Sequence, residues 1–150
     1  MAVTVKWYTD AMRRLLLGGI VWKASGGSTV KVALVNSSYP AAFNQDTHVS
    51  YADVSSYEVS GAGYSTGGAT VTLSDPTTDN ASNECRLDLA DVVWTGSTIT
   101  ASGAVVYKYD ATASLAYLIA YIDFGESKTS DSSTFTVTVA ATGLLKITAA

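Results

Sequence analysis

After Gly18-Gly19 the apolar residues of this chain recur at every second position. The clearest case is Thr29-Val30-Lys31-Val32-Ala33-Leu34-Val35-Asn36, which alternates and is rich in β-branched side chains. A period of two places alternate residues on opposite faces of a strand, and branched side chains pack well on a pleated surface. Further segments follow the same rule. Glu84 to Leu89 sets Cys85, Leu87 and Leu89 against Glu84, Arg86 and Asp88, and Ser133 to Ala140 sets Phe135, Val137 and Val139 against Thr. Ile20–Lys23, Ala69–Leu73, Ala90–Trp94, Thr98–Tyr109 and Gly143–Thr148 also read as strands. Leu115–Asp123 is nearly all apolar, as a central strand covered on both faces would be. Gly103 within Thr98–Tyr109 points to a bulge or bend.

The one helical period lies at the start, about residues 6–17. Trp7, Ala11, Met12, Leu15 and Leu16 recur at three- and four-residue spacing, and Gly18-Gly19 stops the pattern. Ser37 to Tyr57 is a long irregular stretch with one helical turn expected near Val49–Val54, and Asp75–Asn83 reads as a polar turn. Eight or nine strands spaced by about 8–12 residues, with one short N-terminal helix, predict an all-β fold. The expected architecture is a jelly-roll-like β-sandwich, with residues 1–150 as a single domain.

Composition narrows the function classes. Hydrophobic residues make up 47% and charged residues 15% of 150 residues, against about 25% charged in an ordinary soluble domain. Disorder needs the opposite balance. A net charge of −4 with nine Lys and Arg argues against nucleic acid, which needs a dense basic face. One Cys excludes an internal disulfide framework, and a small buried thiol is its expected role. Ser and Thr number 37 and supply neutral outward strand faces. The apolar runs Leu15–Trp22 and Leu115–Ile122 are each eight residues long, short of the roughly 20 that span a bilayer. A leaderless chain acting away from membranes is expected.

No catalytic pattern stands out. His48 is the only His, it lies in a loop, and no Gly-x-Ser-x-Gly elbow accompanies it. Asp123 with Glu126, or Asp88 with Asp91, could flank a sugar, but solvated turn acids explain them as well. Asp75, Asp79 and Asn80 could ligate calcium, yet no ligand spacing supports it. Gly61, Gly63 and Gly67 match neither phosphate-loop pattern, and a strand follows them where a helix is needed. A sharp corner is the expected role. The chain is read as a non-enzyme without cofactor or metal.

The aromatic residues are the remaining candidates. Tyr39, Tyr51, Tyr57 and Tyr64 cluster around the long loop, where Tyr serves protein–protein contacts. A sugar-stacking platform drawn from the three Trp and nine Tyr and core packing are the alternatives; Trp7 and Trp22 are better placed to pack the helix onto the sheet, and Trp94 ends a short strand at a turn.

The order of several segments also carries a resemblance. It rests on Val30–Tyr39, Asp46-Thr47-His48, Tyr51–Val54, Glu58–Gly68, Asp91–Thr95 and Ser97–Thr100, then on Ala104–Tyr107, Ala120–Gly125 and Gly143–Leu145. In these pieces the chain resembles a family of small structural proteins encoded in tailed-bacteriophage genomes, over nearly its whole length. Ser102-Gly103, where a bulkier pair would be expected, and Cys85 depart from the pattern. The resemblance implies a virion structural protein, most like a capsid decoration (cement) protein, with a tail- or fibre-associated role as the alternative; a carbohydrate-binding β-sandwich module, read from the aromatic residues, is the next. The resemblance implies the major capsid protein or another virion protein as partner, and a dimer or trimer. The expected contact residues are Trp7, Tyr39, Phe43, Tyr51 and Tyr57, with the helix to Leu17 and the loop Pro40–Tyr57 presenting them.

Overall fold

The computed structural model describes residues 2–149. They fold as two antiparallel sheets with little helix, the all-β class that the period-two segments predict. β1 (Thr4–Trp7), β2 (Val30–Val35), β3 (Ala69–Val71), β6 (Val92–Lys108) and β7 (Leu118–Val137) make a five-stranded sheet in the order β1-β7-β6-β2-β3. β4 (Thr77–Asp79), β5 (Glu84–Leu87) and β8 (Leu145–Thr148) make a three-stranded sheet in the order β4-β5-β8. A jelly roll has eight strands in two sheets built from Greek keys; here the sheets hold five and three, and a single hairpin, β6–β7, dominates.

The chain enters through a strand. Lys6 pairs with Tyr121 and Trp7 with Ala120, so the helix expected over about 6–17 is shortened to α1, Thr9–Leu16. Tyr8 is extended, at φ −86° and ψ 134°, and its N–H donates to the Ile119 carbonyl at 3.1 Å. The β7 backbone thus claims residues whose side-chain spacing alone fits a helix. Gly18, at φ 75°, ends α1 as expected, in the left-handed conformation that glycine adopts most readily. Ile20–Lys23 forms no strand, and the polar stretch 75–83 contains β4. Two 3₁₀ turns, Tyr51–Asp53 and Ser55–Tyr57, occupy the place of the helical turn expected near Val49–Val54.

Two pairs of expected strands fuse. Ala90–Trp94 and Thr98–Tyr109 become the 17-residue β6, because Gly96-Ser97 is a bulge within a continuing strand: Trp94 faces Phe135 and Ser97 faces Ser133. Leu115–Asp123 and Ser133–Ala140 contribute to the 20-residue β7. The hairpin changes character at Gly103. Above it, Ala104–Tyr107 and Leu118–Ile122 are buried without a break, flanked by β2 and β1, the central position expected for the second apolar run. Below it, burial alternates. At the junction, residues 124–127 of β7 stand against Ser102 alone, since Ala101 faces Lys128 and Gly103 faces Asp123. The bulge expected at Gly103 is therefore present, with its extra residues on the partner strand.

Candidate functional site

The long loop leaves β2 at Asn36 and returns to the sheet edge at β3. Its short helix α2 (Tyr39–Ala42) turns Tyr39 inward. The Tyr39 hydroxyl hydrogen-bonds the Tyr8 hydroxyl and lies 3.1 Å from His48 Nδ1. The ring meets Tyr121 edge-on at 5.0 Å and Phe43 at 6.3 Å. Burial pushes the Tyr39 hydroxyl up to about 12, and it raises Tyr8 further, with Tyr39 adding to the shift. Tyr39 has no exposed surface, so the expectation that it anchors a partner is corrected: it is a core residue. Its ring and its polar tip are both satisfied internally.

The other four expected contact residues are half-buried against the same core. Phe43 stacks on Tyr121 with centroids 4.8 Å apart, and the Lys6 ammonium lies 5.1 Å from its ring centre. Tyr57 leans on Tyr39 at 5.3 Å. Trp7 closes β1. Tyr51 stacks on Tyr107 at 4.7 Å and donates its hydroxyl proton to Glu58. Each keeps only part of its ring for an outside partner.

Glu58 organises the second half of the loop. Its carboxylate also accepts the Tyr64 hydroxyl at 2.6 Å and the Gly67 N–H at 2.7 Å. Tyr64 in turn accepts the Leu34 N–H at 3.0 Å, and Tyr107 donates to the Gly67 carbonyl at 2.6 Å. Burial raises the hydroxyls of Tyr51, Tyr64 and Tyr107, and Glu58 adds to each. The carboxylate is thus tied to neutral donors that stay protonated. The glycine segment follows as the corner expected of it. Gly68 sits at φ 70°, and a Cβ there would fall 1.9 Å from the Val32 carbonyl oxygen.

The acids considered for catalysis do separate work. Asp123 accepts the Gly125 N–H at 2.9 Å, while Glu126 pairs with Lys128. Asp88 accepts the Leu89 N–H at 2.9 Å and Asp91 the Val139 N–H at 2.7 Å. Asp75 caps Ala24 N–H at 2.9 Å, and Asp79 pairs with Arg86. Among the described residues, no three His, Cys, Asp or Glu side chains converge on a common point, and no helix is long and apolar enough to cross a membrane. Trp22 and Trp94 are buried, Trp22 donating to the Asp88 carbonyl at 3.2 Å and Trp94 packed by Tyr64 and Phe135. They offer a sugar no open platform. Cys85, expected to be buried, is half-exposed.

The most exposed large apolar side chains lie elsewhere, at the end of α1. Leu16 is 90% and Leu17 71% exposed. They adjoin a groove of about 360 Å³ whose lining includes Leu15, Leu16, Val21, Trp22, Cys85 and Ile147. Helical spacing predicts Leu16 among the core-facing positions of the helix. The run Leu15-Leu16-Leu17 itself argues against this, because three consecutive residues of a helix span about 200° and cannot share one buried stripe. No protein-family model, curated protein or solved structure matches this chain.

Proposed function

We propose that this chain is a structural protein of a tailed-bacteriophage virion, acting as a capsid decoration protein that binds the assembled shell without covalent chemistry. The observation that carries the reading is the bare apolar end of α1. Leu16 and Leu17 project beside an apolar groove on a chain with few charges, and a broad contact with few charges avoids most desolvation cost. Burying each Leu contributes about 1.5–3 kcal/mol, and many copies on a symmetric lattice let each contact be modest. The long loop supplies a second, preformed surface: Tyr51, Tyr57 and Phe43 are already ordered by internal stacking, so little side-chain entropy is lost on docking.

Fractionating disrupted virions into heads and tails tests the assignment, with this chain located by mass spectrometry. It is expected with heads, at many copies per shell. Recovery with tails transfers the same surface to a tail or fibre partner, and absence from both fractions overturns the virion reading. Leu16→Asp with Leu17→Asp then tests the surface: both side chains are solvated, so the fold survives while shell binding is lost.

A further inference from the structure

β7 is paired along its full length by β6 but on its other side only over Leu118–Asp123, by Val49, Tyr8 and β1. From Ser133 to Val137 it is a free edge among the described residues. A groove of about 390 Å³ runs beside it. Thr134, Phe135, Thr136, Val137 and Thr138 all line this groove, although successive residues point to opposite faces. The groove therefore follows the strand edge rather than one face.

Native edges are normally blunted by charge, proline or bulges. Here the guards stand outside the window, Lys128 lining the same groove from further up the strand. Ser132, at φ 48°, kinks the strand before it, and beyond it the Val139 N–H is taken by Asp91. Between them the sequence is neutral and reads the same in both directions by residue class: Thr, apolar, Thr, apolar, Thr. The three Thr are exposed, while Phe135 and Val137 face inward.

We infer that Thr134–Thr138 is a strand-pairing site for a second copy of this chain. The two edges run antiparallel about a two-fold axis through Thr136. Phe135 then faces Val137 of the second copy, Thr134 faces Thr138, and Thr136 faces its own equivalent. Aromatic–β-branched and Thr–Thr pairs are favoured cross-strand neighbours. A self-complementary patch of this kind generates a closed dimer, with a continuous four-stranded ribbon β6-β7-β7-β6 across the axis. β1 pairs with β7 only up to Asp123, and Val3, just before it, borders the far side of the groove. The inference is independent of the virion reading, because it needs no shell.

Sedimentation of the purified full chain over a concentration series tests it. A monomer–dimer equilibrium is expected. Thr136→Lys and Thr136→Asp each place like charges across the axis, and each raises the dimer dissociation constant by about tenfold or more. Mixing the two variants in equal amounts restores dimers, a rescue that misfolded protein would not show. Should Thr136→Lys fail to fold, the same rescue is read by mixing Thr134→Lys/Thr138→Lys with Thr134→Asp/Thr138→Asp, each of which faces like charges across the axis when paired with itself. A chain that stays monomeric, forms trimers, dimerises regardless of these charges or shows no rescue on mixing overturns the inference.

Discussion

Tyr121 lies directly over Gly103. A Cβ added at Gly103 would stand 2.6 Å from Tyr121 Cε2 and 2.6 Å from the Ile122 carbonyl oxygen. The contact sits where β7 accommodates its extra residues 124–127 and where continuous burial gives way to alternation. The Tyr121 hydroxyl, pressed into this site, is buried without a hydrogen-bond partner, and burial raises it, with Asp123 adding to the effect.

Gly103→Ala is expected to cost about 1–3 kcal/mol, the usual range for overfilling a packed interior. Tyr121→Phe removes an unpaired buried hydroxyl, so it should leave stability unchanged or raise it by about 1 kcal/mol. Urea unfolding of the two variants measures both. Equal losses from the two would mean that the hydroxyl has a partner after all.

Glu58→Gln leaves Tyr51, Tyr64 and the Gly67 N–H competing for one neutral acceptor. A loss of about 1.5–3 kcal/mol is expected, as for hydrogen bonds to a charged group. Tyr64→Phe removes one of those donors together with the acceptor for Leu34 N–H. The double variant should therefore fall short of the sum of the singles, which chemical denaturation reads directly.

Alkaline pH destabilises the fold through the buried tyrosines. Burial holds Tyr39 up at about 12, against about 10 in the unfolded chain. Below the lower value both states are protonated and the contribution is complete. Above it the unfolded state releases protons that the folded state retains, so stability declines as pH rises from about 10 towards 12. Thermal melts across this window should show a falling Tm, and Tyr39→Phe should flatten the decline. An unchanged slope in that variant would assign the effect to other groups.

Acid acts through Asp53. Burial would raise its carboxyl, but the N–H groups of Ser50 and Val49 and the Ser50 hydroxyl outweigh it and hold it below the usual carboxylate range. A lowered group stabilises above its unfolded value of about 3.9 and loses that contribution as pH falls through its folded value. Asp53→Asn keeps an acceptor but loses its charge in the capping box with Ser50, and because the side chain is exposed a cost of only about 0.5 kcal/mol is expected at neutral pH. Its deficit relative to the parent should shrink on acidification, which paired melts at neutral and acid pH will show.

Local pattern was enough for some elements and misled for others. Val30–Val35 and Leu118–Ile122 were legible because the side chains that define them are the ones they bury. The helix start was not: Trp7 and Ala11 keep helical spacing, yet the β7 backbone takes Lys6 and Trp7 into β1. Gly96-Ser97 has the composition of a turn, and it becomes a bulge because Phe135 and Ser133 continue alongside. At the site, Tyr39, Tyr51 and Tyr57 were found as a group, but whether a Tyr in a loop points outward or inward depends on residues such as Tyr8 and Tyr121 that arrive from distant strands.

What the sequence determined by itself is the all-β class, the glycine corner before β3 and the buried character of the central hairpin. Each follows from side-chain period or from steric limits local to a few residues. Tertiary structure alone decided that Tyr39 is internal, that Leu16 and Leu17 are bare and that one edge of β7 is left open. Those outcomes depend on which backbone lies beside which, and hydrogen-bond partners far apart in the chain leave no local periodicity to read.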